Sequence, residues 1–165
     1  MMITTLIAQH LIEVHEGNNW TEVDLATTLQ DITLREATTQ TQASPNTIAS
    51  LLHHITYWNR VMVQRAQGIA TQLNDTNGYN HPPLHIEEDW QNLKKDNIQS
   101  AQELAAVIRQ FNEAKLFEPI LPNYSTAYKN FQGSVEHVHY HLGQIVILKK
   151  LIRNTKVAHK YDSHL

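Results

Sequence analysis

The chain has 165 residues, 41% of them apolar and 18% charged, and a formal net charge of −3 at pH 7. That is one domain's worth of ordinary globular composition, without the basic excess of a nucleic-acid binder or a like-charge block suited to a membrane surface. Cysteine is absent, which excludes disulfides, thiolate metal sites and a cysteine nucleophile.

In chain order, the first periodic segment runs from about Ile3 to His15 and stops at Gly17-Asn18-Asn19. Leu6, Ile7, Leu11 and Ile12 mark its apolar stripe. It lacks the basic n-region and cleavage site of a signal peptide. Val23, Leu25, Leu29 and Ile32, then Leu34 to Thr39, read as a broken connector. A second long helix opens near Ser44-Pro45-Asn46, where a polar cap and a first-turn proline suit a helix start. It carries Ile48, Leu51, Leu52, Ile55, Trp58 and Met62 to Gly68. Residues 70–95 lack periodicity and contain Asn77-Gly78 and Pro82-Pro83, which predicts a long lid or binding loop.

Ser100-Ala101-Gln102-Glu103 has the form of a capping box and opens the third helix, with Leu104, Ala105, Ile108 and Phe111 on its buried face. Pro119 and Pro122 close that segment. The last helix begins between Ser125 and Ser134 and runs to about Asn154. Four long helices without a credible strand or repeat predict a single all-α domain over 1–165: an up-down four-helix bundle with a long loop between helices two and three. No run approaches the ~20 apolar residues that cross a bilayer. The expected location is cytoplasmic, with neither membrane nor nucleic acid as partner.

Eleven histidines are scattered from His10 to His164, and helical rotation sorts them. At about 100° per residue, His54 falls at the rim of the buried stripe of its helix and His53 about 100° away, toward water. On the last helix His137 and His141 lie about 40° apart, within or beside the apolar stripe, while His139 points about 160° away from His141. Histidines at i and i+4 on a half-buried face can converge on one cation, and His54 can supply a third nitrogen from a facing helix. A plainer reading stands beside this one: a partly satisfied surface pair, and one hydrogen-bonded core histidine. No glutamate makes the His137–His141 run an HExxH motif.

The residues around these histidines carry a resemblance. His54-Ile55-Thr56-Tyr57-Trp58 and the polar stretch to Gly68 resemble the helix-two motif of the DinB-like (damage-inducible) superfamily of metal-binding four-helix bundles. Gly133-Ser134-Val135-Glu136-His137 with Tyr140-His141-Leu142-Gly143-Gln144-Ile145 resembles its final-helix motif. Ser44-Pro45-Asn46-Thr47-Ile48 also fits, as does the order of segments from about Ile3 to Ile152. The resemblance implies one divalent ion, zinc or nickel, held by His54, His137 and His141. It also implies homodimers and thiol-dependent chemistry with a low-molecular-weight thiol. His139 departs from the pattern, standing where an apolar or small residue is expected.

The expected function is a metal-dependent enzyme, a thiol-dependent S-transferase or hydrolase-like, whose ion activates a water or an external thiol. The alternative is a non-catalytic, metal-binding stress-response bundle. Gln144 is a candidate to orient a ligand, and Gly143 to admit a neighbouring helix. Trp58 reads as core rather than pocket wall, Glu136 as solvated, and Tyr140 as surface or interface. The loop histidines His81 and His85 are candidates to approach the site. Ile147 and Leu151 fall away from the main stripe of the last helix, as a dimer contact would.

Overall fold

The computed structural model describes residues 2–162, with side chains described through Asn154. The chain is all-helical: α1 (Ile3–Glu16), α2 (Leu25–Leu29), α3 (Leu34–Thr38), α4 (Ile48–Ala66), α5 (Glu87–Gln110), a 3-10 turn (Glu113–Lys115) and α6 (Ala127–Asp162). Among the described residues there is no strand, only the isolated bridges Thr41–Ser44 and Pro119–Thr126. No helix among them is long and apolar enough to cross a membrane.

The four long helices close a cycle of contacts. Helix α4 packs on α5 and α6, and α1 packs on the same two. Ile7, Leu11 and Val14 bury the inner face of α1, whereas Leu6 is 49% exposed. The stripe is therefore rotated from the predicted one, with Thr4 and His15 buried in it. Helix α4 brings Ile48, Leu51, Leu52 and Ile55 to the centre, and α6 brings Phe131, Val135, Val138 and Ile145. Burying each such side chain contributes about 1.5–3 kcal/mol. The connector folds as the two short helices α2 and α3, capped by Asp24 and by a reciprocal Thr33–Glu36 box.

Two starts differ from expectation. Helix α4 is capped by Thr47, whose hydroxyl accepts from Ser50 N at 3.1 Å while Ser50 Oγ accepts from Thr47 N at 2.8 Å. Pro45 precedes the helix instead of entering it. Helix α5 begins at Glu87, well before Ser100. Its first turn holds Glu87, Glu88 and Asp89, acidic side chains favoured at a helix N-terminus. Asp89 Oδ2 accepts from the backbone N–H of His85 (2.7 Å) and Ile86 (3.0 Å). Trp90 and Leu93 continue the buried face, and the Trp90 indole donates to Ile32 O at 2.7 Å. Ser100 is interior to the helix and donates to Asn97 O at 2.7 Å. The loop is thus shortened at its C-terminal end, to 67–86.

Candidate metal centre

Helix α4 presents His54, and α6 presents His137 and His141 one turn apart. The three predicted side chains meet: one nitrogen from each lies within 4.8 Å of the others. His54 Nε2 is 2.9 Å from His137 Nε2, and His141 Nε2 is 3.0 Å from the same atom. His54 and His141 are each 3% exposed, and His137 is half-buried.

The outer nitrogens fix the tautomers. His54 Nδ1 lies 2.6 Å from the carbonyl oxygen of Asn77, which can only accept, so Nδ1 carries the proton. His141 Nδ1 lies 2.7 Å from Gln144 Oε1 and donates there. Both Nε2 atoms therefore turn lone pairs toward His137, whose Nε2 can donate to one of them at most. At least one of the two short contacts therefore has no proton to bridge it. Protonation would relieve this, but burial opposes it. Desolvation pushes His54 down to about 4 against the Asn77 bond, with His141 and His53 adding to the fall. Desolvation pushes His137 down to about 3, with His141 and His54 adding. His141 is lowered by burial, with the Gln144 bond opposing. Three neutral imidazoles short of protons and facing one point could hold a metal ion.

The loop after α4 covers the cluster. The Tyr79 ring stacks on His54 with centroids 4.0 Å apart and planes 8° from parallel. Gly78 sits at φ +77, and a Cβ there would come within 2.6 Å of Tyr57 Cγ and Cδ1, so only glycine fits. Asn74 Oδ1 accepts from Gly78 N at 2.9 Å, and Tyr57 Oη accepts from Asn74 N at 3.0 Å. This turn aims Asn77 O at His54. The sequence marks neither Asn77 nor Tyr79 as a site residue; the Asn77-Gly78 pair, a signal for positive φ, is the available clue.

The other candidates separate from the site. His53 is half-buried, with Nδ1 2.7 Å from Gly78 O. The His139 ring lies 5.7 Å from that of His10 and outside the group of three. His81 Nδ1 is 2.7 Å from Pro82 O, His85 is exposed, and neither joins the cluster. Among the described residues, no other helix comes within 4 Å of a Cβ built on Gly143. Glu136 is exposed, as is Tyr140 at 64%. Trp58 reverses its reading. It lines a cavity of about 370 Å³ that also has His54 and His137 in its wall. Its ring stands edge-on to His54 and His137 at 6.4 and 6.2 Å.

The helical fold and the imidazole cluster are compatible with a metal ion held between two helices. A family model of the DinB superfamily matches residues 19–145, a stretch that contains all three histidines and Gln144, and the chain belongs to that superfamily. Neither the curated proteins nor the solved structures yield a match.

Proposed function

We propose that His54, His137 and His141 bind one divalent ion, zinc or nickel, in an up-down four-helix bundle, and that the protein is a metal-dependent enzyme acting on a small molecule. The observation that carries this reading is the cavity, which brings open space to two of the three candidate ligands. A divalent ion held by these residues would supply Lewis acidity, the chemistry that makes a water or a thiol nucleophilic near neutral pH. Asn77 and Gln144 hold two imidazoles with Nε2 inward. Tyr79 shields one face of His54 from water. With no cysteine in the chain, a thiol for S-transfer comes from a low-molecular-weight cosubstrate; water in its place makes the reaction a hydrolysis.

Elemental analysis of protein purified without an affinity tag should find one ion per chain. Thiol titration of the cobalt-substituted protein should then change its visible spectrum. A bound ion that no exogenous thiol or anion can reach would instead favour the non-catalytic, metal-stabilised bundle, a reading supported by the burial of His54 and His141. We also propose a homodimer, supported by Tyr140 and Ile147, 64% and 59% exposed on α6. Light scattering that reports a monomer over a wide concentration range would refute it.

A further inference from the structure

The cavity beside the histidines contains a cation that the three-histidine centre does not use. Trp58, Met62 and Arg65 follow His54 along α4, and all four line the cavity. Eleven residues of helix return Arg65 to within about 20° of His54 around the axis. Arg65 is only 9% exposed. Its Nε is buried and makes no hydrogen bond. Its Nη1 lies 4.0 Å from Met62 Sδ, a weak acceptor. The guanidinium carbon lies over the Trp58 ring at 5.2 Å and over the Tyr124 ring at 4.9 Å. Among the described residues, no carboxylate forms an ion pair with it.

Two aromatic rings offset part of the desolvation of this charge, but they give its in-plane N–H groups no oxygen acceptor. An arginine cannot escape by losing its proton, as a buried lysine does. The arrangement therefore has an unmet demand for an oxyanion presented edge-on to the guanidinium plane, the geometry of a paired carboxylate. Lys129 of α6 lines the same cavity and adds positive charge, and Ser134 and Asn130 add neutral polar groups. Trp58 spans the interval between this cation and the histidines, its ring in contact with both.

We propose that Arg65, assisted by Lys129, is the specificity-determining anchor for a small carboxylate-bearing ligand whose other end reaches the three-histidine centre. The part concerning the far end rests on the metal-site reading above; the carboxylate site itself does not. The ligand is bifunctional: its carboxylate pairs with Arg65 along Trp58, and its reacting group meets His54 and His137. A cavity of about 370 Å³ has the size of a small-molecule site.

The test has two arms. In the first, cobalt-substituted protein is titrated with straight-chain ω-mercaptocarboxylates of increasing length and with ω-mercaptoalcohols of matching length. The acids should bind at least ten-fold tighter than the alcohols at one optimal length. Arg65→Gln should reduce that preference to less than two-fold while cobalt uptake stays intact. Equal binding of acids and alcohols, or a preference that survives Arg65→Gln, overturns the proposal. In the second arm, metal-free protein is titrated with the simple straight-chain carboxylates and with alkyl phosphates, following tryptophan fluorescence, since the Trp58 ring touches the guanidinium. Carboxylate binding that weakens ten-fold or more in Arg65→Gln supports the site even if cobalt never binds, which would sink only the metal reading. No carboxylate binding in this arm, or tighter binding of the phosphates, overturns the carboxylate assignment. Should Arg65→Gln fail to fold, Lys129→Gln on the exposed side of the cavity should still lower carboxylate affinity several-fold, and unchanged affinity there overturns the proposal.

Discussion

At Asn59, helix α4 meets His15 of α1 and Ser100 of α5; at His54, just over one turn earlier, it meets His137 and His141 of α6. Both places bury polar groups in an apolar core, and they resolve the cost differently. His15 Nδ1 donates to Leu11 O at 2.8 Å, and its Nε2 accepts from Asn59 Nδ2 at 3.3 Å. The Asn59 amide gives its second proton to Ser100 Oγ at 3.0 Å, and Ser100 donates to Asn97 O at 2.7 Å. Asn97 in turn donates to Thr56 Oγ1 at 3.1 Å, and Thr56 to Leu52 O at 2.9 Å. Each contact in that chain sets a proton against an oxygen or nitrogen lone pair, so the network closes without a mismatched pair and ties three helices together. The three-histidine cluster has the same ring type, two of its rings also buried and all three lowered in basicity by burial, yet too few protons for its contacts. Burial alone does not mark a functional histidine. The balance of donors and acceptors does, and it separates a structural polar core from a cluster suited to a cation.

The largest expected effect breaks the cluster. His141→Ala should weaken zinc affinity by three orders of magnitude or so, since two imidazoles would remain where three now converge. His53→Ala and His139→Ala should leave it within about three-fold, because neither ring belongs to the group. For wild type, zinc at about 1,000 times its Kd should raise folding stability by about 4 kcal/mol, and His141→Ala should lose that gain at the same zinc concentration. Metal titration and melting curves of the variants check both statements. If His139→Ala proves as damaging as His141→Ala, the ligand set is wrong.

The closed network should respond to acid instead. Burial lowers His15 to about 4 from an ordinary 6.5, the Leu11 bond opposing and His139 adding slightly. A depressed folded value means that the unfolded chain takes up the proton first. The stability tied to neutral His15 is therefore complete above pH 6.5 and is lost as pH falls through 4. The loss amounts to about 3 kcal/mol for a fully buried ring. Denaturant unfolding of wild type and His15→Gln at pH 7 and pH 4 isolates this, because the other histidines cancel in the difference. A stability difference between the two proteins that does not change with pH would show that His15 does not titrate as a buried group.

These two regions were unequally legible in the sequence. The cluster could be read because helical rotation and i, i+4 spacing are local properties, and His54 needed only one inward-facing position on a facing helix. The His15 network could not. Its partners lie 44 and 41 residues apart in sequence, and nothing in spacing shows which polar residues will meet. The same network obscured the start of α5. Asn97 and Ser100 occupy buried positions of that helix, which interrupts the apolar stripe, and Ser100 with Glu103 imitates a capping box. The acidic run Glu87-Glu88-Asp89 was the true start signal. The cover of the site, Asn77 and Tyr79, lies in a loop without periodicity, while Arg65 was recoverable from its alignment with His54 but lay at the polar end of the helix.

Gly78→Ala tests the cover. The new Cβ would meet the Tyr57 ring at a backbone angle reserved for glycine, so the turn must lift and His54 must give up its bond to Asn77 O. Destabilisation of about 2 kcal/mol should follow, since the steric clash adds to the left-handed strain. The His54 ring should also become mobile, visible as broadened imidazole resonances. A variant with wild-type stability and a sharp His54 signal would show that the turn does not position the ring.

The smallest effect bears most directly on donor counting. Gln144 touches the cluster only through Nδ1 of His141, and removing it adds or deletes no candidate ligand. With that acceptor gone in Gln144→Ala, His141 is free to move its proton to Nε2. It could then donate to His137, which settles that one contact while His54 Nε2 still faces His137 without a proton. The ion must displace that proton, so zinc affinity should fall by about ten-fold, the low end for the loss of a partner that orients a ligand. Stability of the ion-free protein should stay within about 1 kcal/mol of wild type, because one hydrogen bond is exchanged for another. Gln144→Glu should act in the opposite direction, since a carboxylate accepts the Nδ1 proton more strongly and keeps the Nε2 lone pair inward. Zinc titrations of the two variants, with the imidazole tautomer read from nitrogen chemical shifts in the ion-free state, separate this account from a simple packing role. Equal affinity in wild type, Gln144→Ala and Gln144→Glu, with no change of tautomer, would mean that the balance of protons does not govern the site.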